Sequence, residues 1–205
     1  MIDIYVYKNT DVLKNKLNIK LEEKLNEKEL EFFCDRFSEL VDMELNVSNI
    51  EDFKYIHFYL FQDIFEWAGI FRKINIDKPE KVLGGLSLVY SDYNNIESNL
   101  NELFNKMNKI DINKITKDEL INKIIKIVKN IWLIHPFREG NTRTVIVYLF
   151  KFLDNLDIKI NKLLFSKNSK YVRSAFVAAT FEDKELNIMA NEKYLYDILN
   201  EAIKF

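Results

Sequence analysis

Residues His135 to Thr144 read HPFREGNTRT and set a histidine, a carboxylate, a Gly-Asn pair and an arginine along one short stretch. Chemistry on a phosphate calls for those parts. An imidazole titrates near neutrality, so His135 has the proton affinity to take a hydroxyl proton as that oxygen attacks phosphorus, a contribution of about 10²–10⁴ in rate. Glu139 offers the carboxylate that Mg²⁺ accepts, an ion that completes its shell with phosphate oxygens and water. Gly140 and Asn141 precede an apolar segment that reads as a helix. Free N–H groups at a helix N-terminus bind anions, and glycine permits close approach to the backbone. Arg143 adds a permanent charge just inside that helix. Each type also has an ordinary role: a core histidine, an acid favoured by the helix dipole, an N-cap asparagine. Their order, more than any one of them, points to a phosphate.

Two apolar segments must hold that stretch. Gly and Pro number four and two, and scarce breakers with long periodic runs read as a mainly α chain. Thr116 and Glu119 form a capping box opening a helix through Leu120, Ile124, Ile127, Val128, Ile131 and Trp132, which Pro136 ends. A second helix covers Val145 to Leu156. Upstream, Leu30, Phe33, Phe37, Leu40 and Val41 recur at helical spacing between Glu29 and Leu45. Ser48 and Glu51 read as another capping box, with a helix through Ile56, Phe58, Leu60, Phe61, Ile64 and Phe65 that Gly69 stops. Asn94 to Met107 is a further helix, and two more fill Lys170 to Phe205. From Phe71 to Tyr90 the pattern changes. Ile74 and Ile76 alternate with polar residues, and Val82, Leu83, Leu86, Leu88 and Val89 surround Gly84-Gly85, which reads as a short β-hairpin or flap.

Composition sets the bounds. A chain of 205 residues, 48% apolar and 14% aromatic, suits one domain with a sizeable core and excludes disorder. Net charge is −2 with both signs intermixed, so nucleic-acid binding has no electrostatic footing, and the scattered lysines read as a solvated face. Cys34 stands alone, which excludes an intrachain disulfide, and reads as a buried small apolar residue. The N-terminus lacks a signal-peptide h-region, and the apolar run Thr144–Leu153 is too short to span a bilayer. The expectation is one domain over 1–205, cytoplasmic, with no membrane or nucleic-acid partner and an open oligomeric state. His57, the other histidine, reads as a helix residue with a satisfied hydrogen bond.

HPFREGNTRT resembles the signature of the Fic (filamentation induced by cAMP) or Fido family, HPFx[D/E]GNGRxxR, at His135, Pro136, Phe137, Glu139, Gly140, Asn141 and Arg143. His57 to Arg72, HFYLFQDIFEWAGIFR, is similar to the segment which that family places before its flap, with a Trp67-Ala68-Gly69 turn and then Arg72. The resemblance covers about residues 50–199, leaving 1–49 as an N-terminal helical extension. It implies the Fic fold, a compact helical bundle with a short β-hairpin flap, and a protein adenylyltransferase. Such an enzyme uses ATP and Mg²⁺ to place AMP on a Ser, Thr or Tyr hydroxyl of a target protein. The resemblance makes His135 the catalytic base and Glu139 the metal ligand. Gly140, Asn141, Thr142 and Arg143 become the nucleotide-binding residues, with Arg143 facing the β-phosphate. Val82, Leu83, Gly84 and Gly85 become the flap that docks the target strand to strand. Phe137 is expected to face inward and Arg138 to be solvated.

The chain departs from that signature twice. Thr142 replaces the second glycine, narrowing the cradle. Ile146 replaces the second arginine, which in the family meets the terminal phosphate. Losing such a charge-assisted contact costs on the order of 1.5–3 kcal/mol. The family's restraining helix, [S/T]xxxE[G/N], has no good copy: Ser98 and Glu102 have the spacing, but Leu103 follows. Two expectations follow: a chain without self-inhibition, or a small antitoxin partner that carries the glutamate. Alternative functions stay open: a relative using another nucleotide, transfer of a phosphate as in the Doc branch, or a nucleotide- or partner-binding protein with weak catalysis.

Overall fold

The computed structural model describes residues 3–204. Its helices are α1 (Glu22–Asp42), α2 (Ile50–Phe61), α3 (Ile96–Met107), α4 (Lys117–Ile134), α5 (Asn141–Asn155), α6 (Lys162–Lys167), α7 (Ser169–Thr180) and α8 (Lys193–Ala202). Strands β1 (Lys159–Ile160) and β2 (Ile203–Lys204) pair antiparallel, with Lys159 opposite Lys204. The fold is mainly α, as the periodic, breaker-poor sequence implies. No helix among the described residues is long and apolar enough to cross a membrane.

The centre is α4 and α5. The box at Thr116 forms as expected: Glu119 N donates to Thr116 Oγ1 at 3.3 Å, and Thr116 N donates to the Glu119 carboxylate at 2.8 Å. Buried residues of α4 run from Leu120 and Ile121 through Ile131, Trp132 and Ile134. A helix apolar over so much of its circumference needs partners on several sides. It packs against α3, α5, α7 and α8. α5 is buried continuously from Thr144 to Leu153. Its one buried cation, Lys151, donates to the carbonyls of Val41 and Met43 at 2.9 and 2.6 Å. Those donors serve carbonyls that the end of α1 would otherwise leave open.

Several local expectations are corrected. α2 is capped by Asn49, whose Oδ1 accepts from Glu51 and Asp52, while Asp52 accepts from the Asn49 amide. The box is therefore Asn49–Asp52, one residue later than Ser48–Glu51. α2 also ends at Phe61, well before Gly69, and the chain turns through the intervening residues. α6 is too short to leave a periodic trace. The chain leaves α8 at Ala202 to form β2, and Phe205 lies outside the described residues. Cys34 is exposed. It falls off the α1 stripe that buries Leu25, Glu29 and Leu40.

The flap is a hairpin-like loop closed by a single bridge, Pro79 opposite Ser87. Glu80 N donates to Leu86 O at 3.0 Å. Gly84 and Gly85 turn the chain at φ +65° and +97°, a region that glycine enters without strain. Pro79 has no N–H, and Lys81–Leu83 winds into a 3-10 turn, so the ladder grows no further.

Candidate active site

The HPFREGNTRT stretch is the α4–α5 connection. His135 ends α4 in the left-handed region at φ +51°, and Gly140 precedes α5 at φ +82°. Gly140 is required twice over. Besides its φ, a Cβ there would stand 2.5 Å from ring carbons of Phe61 on α2. Asn141 is the first residue of α5 and does not cap it, a correction. Its side chain folds back onto the loop, Oδ1 accepting from Phe137 N at 2.9 Å and Nδ2 donating to Phe137 O at 2.8 Å. The cap position belongs to Gly140. The first-turn amides at Asn141, Thr142 and Arg143 have no intrahelical acceptor, an arrangement that suits an anion.

Two residues fix the loop from outside. His57 on α2 is fully buried and stacks on Phe137 with ring centroids 3.7 Å apart. Gly69 N donates to its Nδ1 at 2.8 Å, so the proton sits on Nε2, which donates to Glu139 O at 3.1 Å. Its structural assignment stands, and Phe137 faces inward as expected. Arg72 holds the other end. Its Nε donates to His135 O at 2.8 Å, its Nη2 to Ile134 O at 3.2 Å, and its amide to Pro136 O at 2.8 Å. One residue thus satisfies carbonyls at the C-terminus of α4 that have no intrahelical donor.

His135 is only 2% exposed. Its ring lies against Tyr90, centroids 4.1 Å apart, with Trp132 edge-on at 5.7 Å. Nδ1 is buried with no hydrogen-bond partner among the described residues. Burial, reinforced by the charges of Lys78, Arg173 and Arg72, pushes its pKa down to about 3. The ring is therefore neutral at pH 7, and its proton affinity is far below the near-neutral value expected from the residue type, because burial disfavours the charged form.

Glu139 faces a polar cleft of about 560 Å³ shared with Glu29, Asp77, Lys78, Arg138 and Arg143. Lys78 Nζ lies 2.9 Å from Glu139 Oε2, and Arg143 Nη2 lies 4.0 Å from Oε1. Burial opposes the charge on Glu139, yet these two cations hold its carboxyl far below the usual range. No group of three His, Cys, Asp or Glu that could hold a metal occurs among the described residues. A single carboxylate beside helix N–H groups still fits Mg²⁺, which draws most of its shell from phosphate and water. Lys78 is the group that such an ion would displace.

Arg143 is held on three sides. Its guanidinium pairs with Glu29 of α1 and lies over the rings of Phe33 and Phe61, 5.1 and 4.7 Å from their centroids. Glu29 is buried, which raises its carboxyl above the ordinary value. Arg143 opposes that rise, and the Glu139 charge adds to it. Glu29 therefore meets the first arginine of the motif, although its surroundings, Leu25 and Leu30, are not those of the family's restraining helix. Ser98–Glu102 does not serve either: Glu102 is an exposed partner of Lys106 at 2.6 Å. Arg138, expected to be solvated, is also paired, with Asp3 at 2.7 Å. Thr142 Oγ1 accepts from Trp132 Nε1 at 2.8 Å. Ile146 borders a second, apolar cavity.

The structure brings Glu139, Gly140, Asn141, Thr142 and Arg143 together at one end of α5. His135 heads the same loop but does not line the cleft, because Tyr90 covers its ring. Val82, Gly84 and Gly85 stand exposed on the flap, with Leu83 half-buried. Glu29, Lys78 and Tyr90 had no signal in the sequence, since their importance comes only from partners distant along the chain.

A sequence profile described as the Fic/DOC family matches residues 47–153. The chain is 34% identical over 150 residues to a probable protein adenylyltransferase, y4lH, of Sinorhizobium fredii, covering 72% of this chain and 73% of that protein. It is 28% identical over 189 residues to a protein adenylyltransferase of Bartonella henselae, covering 85% of this chain but only 34% of that relative. Among solved structures, the BepC protein of Bartonella tribocorum, a VirB-translocated effector crystallised with AMPPNP, has a TM-score of 0.77 at 20% identity, over 98% of this chain and 96% of that one. The chain belongs to the Fic/DOC family and has its mainly α fold.

Proposed function

We propose that this chain is a protein adenylyltransferase that moves AMP from ATP to a hydroxyl of a target protein, with 1–205 as one Fic domain. The observation that carries this is the convergence of Glu139, Lys78 and Arg143 on one polar cleft beside the N-terminus of α5, at the end of a loop headed by a neutral histidine. Names of relatives as protein adenylyltransferases and the nucleotide held by BepC support it.

In this proposal Gly140, Asn141, Thr142 and Arg143 bind the phosphates, the amides by direct donation and Arg143 by charge. His135 takes the proton of the attacking hydroxyl. Glu139 would hold Mg²⁺, which when bound offsets the charge that develops on the leaving phosphates. The target docks along the flap, where Val82 is 58% and Val89 90% exposed. Glu29 pairs with Arg143 and not at the position of the family's second arginine, which is Ile146 here, so it does not stand in for an antitoxin glutamate.

Ile146 favours one other reading of the same site: a different donor, or transfer of a phosphate. One experiment separates them. Purified protein is incubated with host lysate and ATP labelled at the α- or the γ-position. Protein label from the α-position is the expected result. Label only from the γ-position would establish phosphate transfer, and nucleotide binding without label would establish a binding protein. His135→Ala should abolish transfer while leaving nucleotide affinity within about threefold, since base catalysis acts on the chemical step. Undiminished transfer by that variant would remove His135 from its role.

A further inference from the structure

We infer that Tyr90 is a gate on His135, held shut by the ion pair of Glu80 with Arg173, and that its ring has to leave before an acceptor hydroxyl can reach the base. The inference rests on the adenylyltransferase proposal for the role of His135 alone.

It starts from what covers the histidine. The ring of Tyr90 lies over that of His135 at an interplanar angle of 26°, with centroids 4.1 Å apart, and Trp132 closes a second side edge-on. His135 is left 2% exposed. A hydroxyl that gives up its proton has to come within hydrogen-bond reach of the imidazole. Trp132 is fixed: it is buried in α4, stacks on Phe176 and donates to Thr142 Oγ1. Tyr90 is the movable cover, because it belongs to no helix and lies in the connection between the flap and α3.

The cover is made without hydrogen bonds. Tyr90 Oη and His135 Nδ1 are both buried, and neither has a partner among the described residues. Two unpaired buried polar groups oppose the closed arrangement, and both gain water once the ring swings out. Glu80 supplies the restraint. Its side chain, 7% exposed, pairs with Arg173 of α7 at 2.6 Å and ties the root of the flap to the helices. Tyr90 Oη stays beyond hydrogen-bond distance of Glu80, yet close enough that, after burial, the Glu80 charge is the next cause raising the phenol, while Arg173 lowers it. The ion pair therefore stands at the hydroxyl end of the gate.

The chain after Tyr90 is anchored. Arg72 Nη2 donates to Ser91 O, and Tyr93 N donates to Asn75 Oδ1 at 2.9 Å. Movement is confined to the flap side. There Val89, next to Tyr90, is 90% exposed, so a target docked along the flap grips the residue beside the gate.

The test is the rate at which diethyl pyrocarbonate acylates each of the two histidines of the full chain, read by peptide mass. The reagent attacks neutral imidazoles that it can reach and needs no turnover. His57, fully buried on α2 and stacked on Phe137, is the internal control. Glu80→Gln keeps the ring and the volume but weakens the latch. It should speed acylation of His135 by about tenfold, the factor for losing one charge-assisted bond. Tyr90→Ala should speed it further. Tyr90→Phe, which keeps the ring and removes the unpaired hydroxyl, should not speed it. A rate at His135 unmoved by Glu80→Gln, or equal in Tyr90→Ala and the unaltered chain, overturns the inference. So does equal acceleration at His57, which would mean that the whole α4–α5 loop loosens. If His135 is uncovered as expected and no variant transfers nucleotide label to protein, the gate stands and the adenylyltransferase proposal fails. Transfer by a chain whose His135 rate none of these substitutions moves removes the gate alone.

Discussion

Glu29→Gln should raise nucleotide affinity sharply while leaving stability almost unchanged. In the folded chain the Glu29 carboxylate, 7% exposed, pairs with the guanidinium of Arg143, 29% exposed. A phosphate that needs Arg143 must displace that carboxylate. A charge-assisted hydrogen bond of this kind is worth about 1.5–3 kcal/mol, so neutralising it should tighten binding by about 10- to 150-fold. Stability responds differently. Burial already raises the Glu29 carboxyl, so its charge is held at a cost, and the amide keeps the same volume and one hydrogen bond. Arg143 is not orphaned by the change, because it stays stacked on Phe33 and Phe61, contacts worth about 0.5–2 kcal/mol. The expected stability change is within about 1 kcal/mol. Calorimetric titration with ADP reads the first quantity and denaturant unfolding the second. An affinity moved by less than twofold would show that Glu29 does not compete with phosphate. A stability loss above about 3 kcal/mol would mark the pair as a structural strut.

Three other outcomes follow from the geometry. Burial holds both His57 and His135 near pKa 3, against about 6.5 in an unfolded chain. The unfolded state therefore binds protons first as pH falls. Stability should be level above pH 6.5 and drop by about 2 kcal/mol per histidine between pH 6.5 and 5; a total loss under about 1 kcal/mol in denaturant unfolding would mean that the rings charge while folded. Gly140→Ala, with its Cβ driven into Phe61 at a left-handed φ, should cost about 2–4 kcal/mol. Phe61→Leu in the same chain should recover part of that loss, and no recovery would place the strain in the backbone alone. Arg72→Lys should cost about 2–4 kcal/mol, since an ammonium cannot span the carbonyls of Ile134 and His135 together; an unchanged denaturation midpoint would remove Arg72 as the anchor of the loop.

The parts legible in the sequence are those whose cause is local. Thr116 and Glu119 cap α4 through bonds spanning three residues. The apolar runs on either side of the motif become the buried pair α4 and α5, and His57 has the satisfied ring expected of a lone helix histidine. Where the cause is distant, local pattern fails. Glu29 has Leu25 and Leu30 at the flanking positions where a restraining motif has a hydroxyl residue and Gly or Asn, so nothing near it announces a partner at Arg143. Ser98 and Glu102 match the spacing and sit exposed, because spacing does not say which face a helix buries. Arg138 finds Asp3 across most of the chain, and no periodicity encodes that. Cys34 shows the same limit in reverse: Phe32, Phe33 and Phe37 close by in the chain say nothing about the angle at which α1 meets α2.

The two departures from the family signature look equal in the sequence and are unequal in the structure. Thr142 turns its hydroxyl to the indole N–H of Trp132. That bond satisfies a donor which would otherwise be buried unpaired, at a cost of about 1–3 kcal/mol. It also holds the added side chain against α4, while the amides of Asn141, Thr142 and Arg143 still open α5 without intrahelical acceptors. The threonine therefore gains a contact without blocking the opening amides of α5. Ile146 has no such compensation in charge. At 9% exposure it is packed with Val147 and Phe150 on a surface that welcomes carbon. The first departure leaves the opening amides of α5 free, and the second puts an apolar side chain where the signature has a cation. Glu139 and Arg143 thus keep their places on the polar cleft, while the next helical turn presents hydrocarbon where the family signature has a charge.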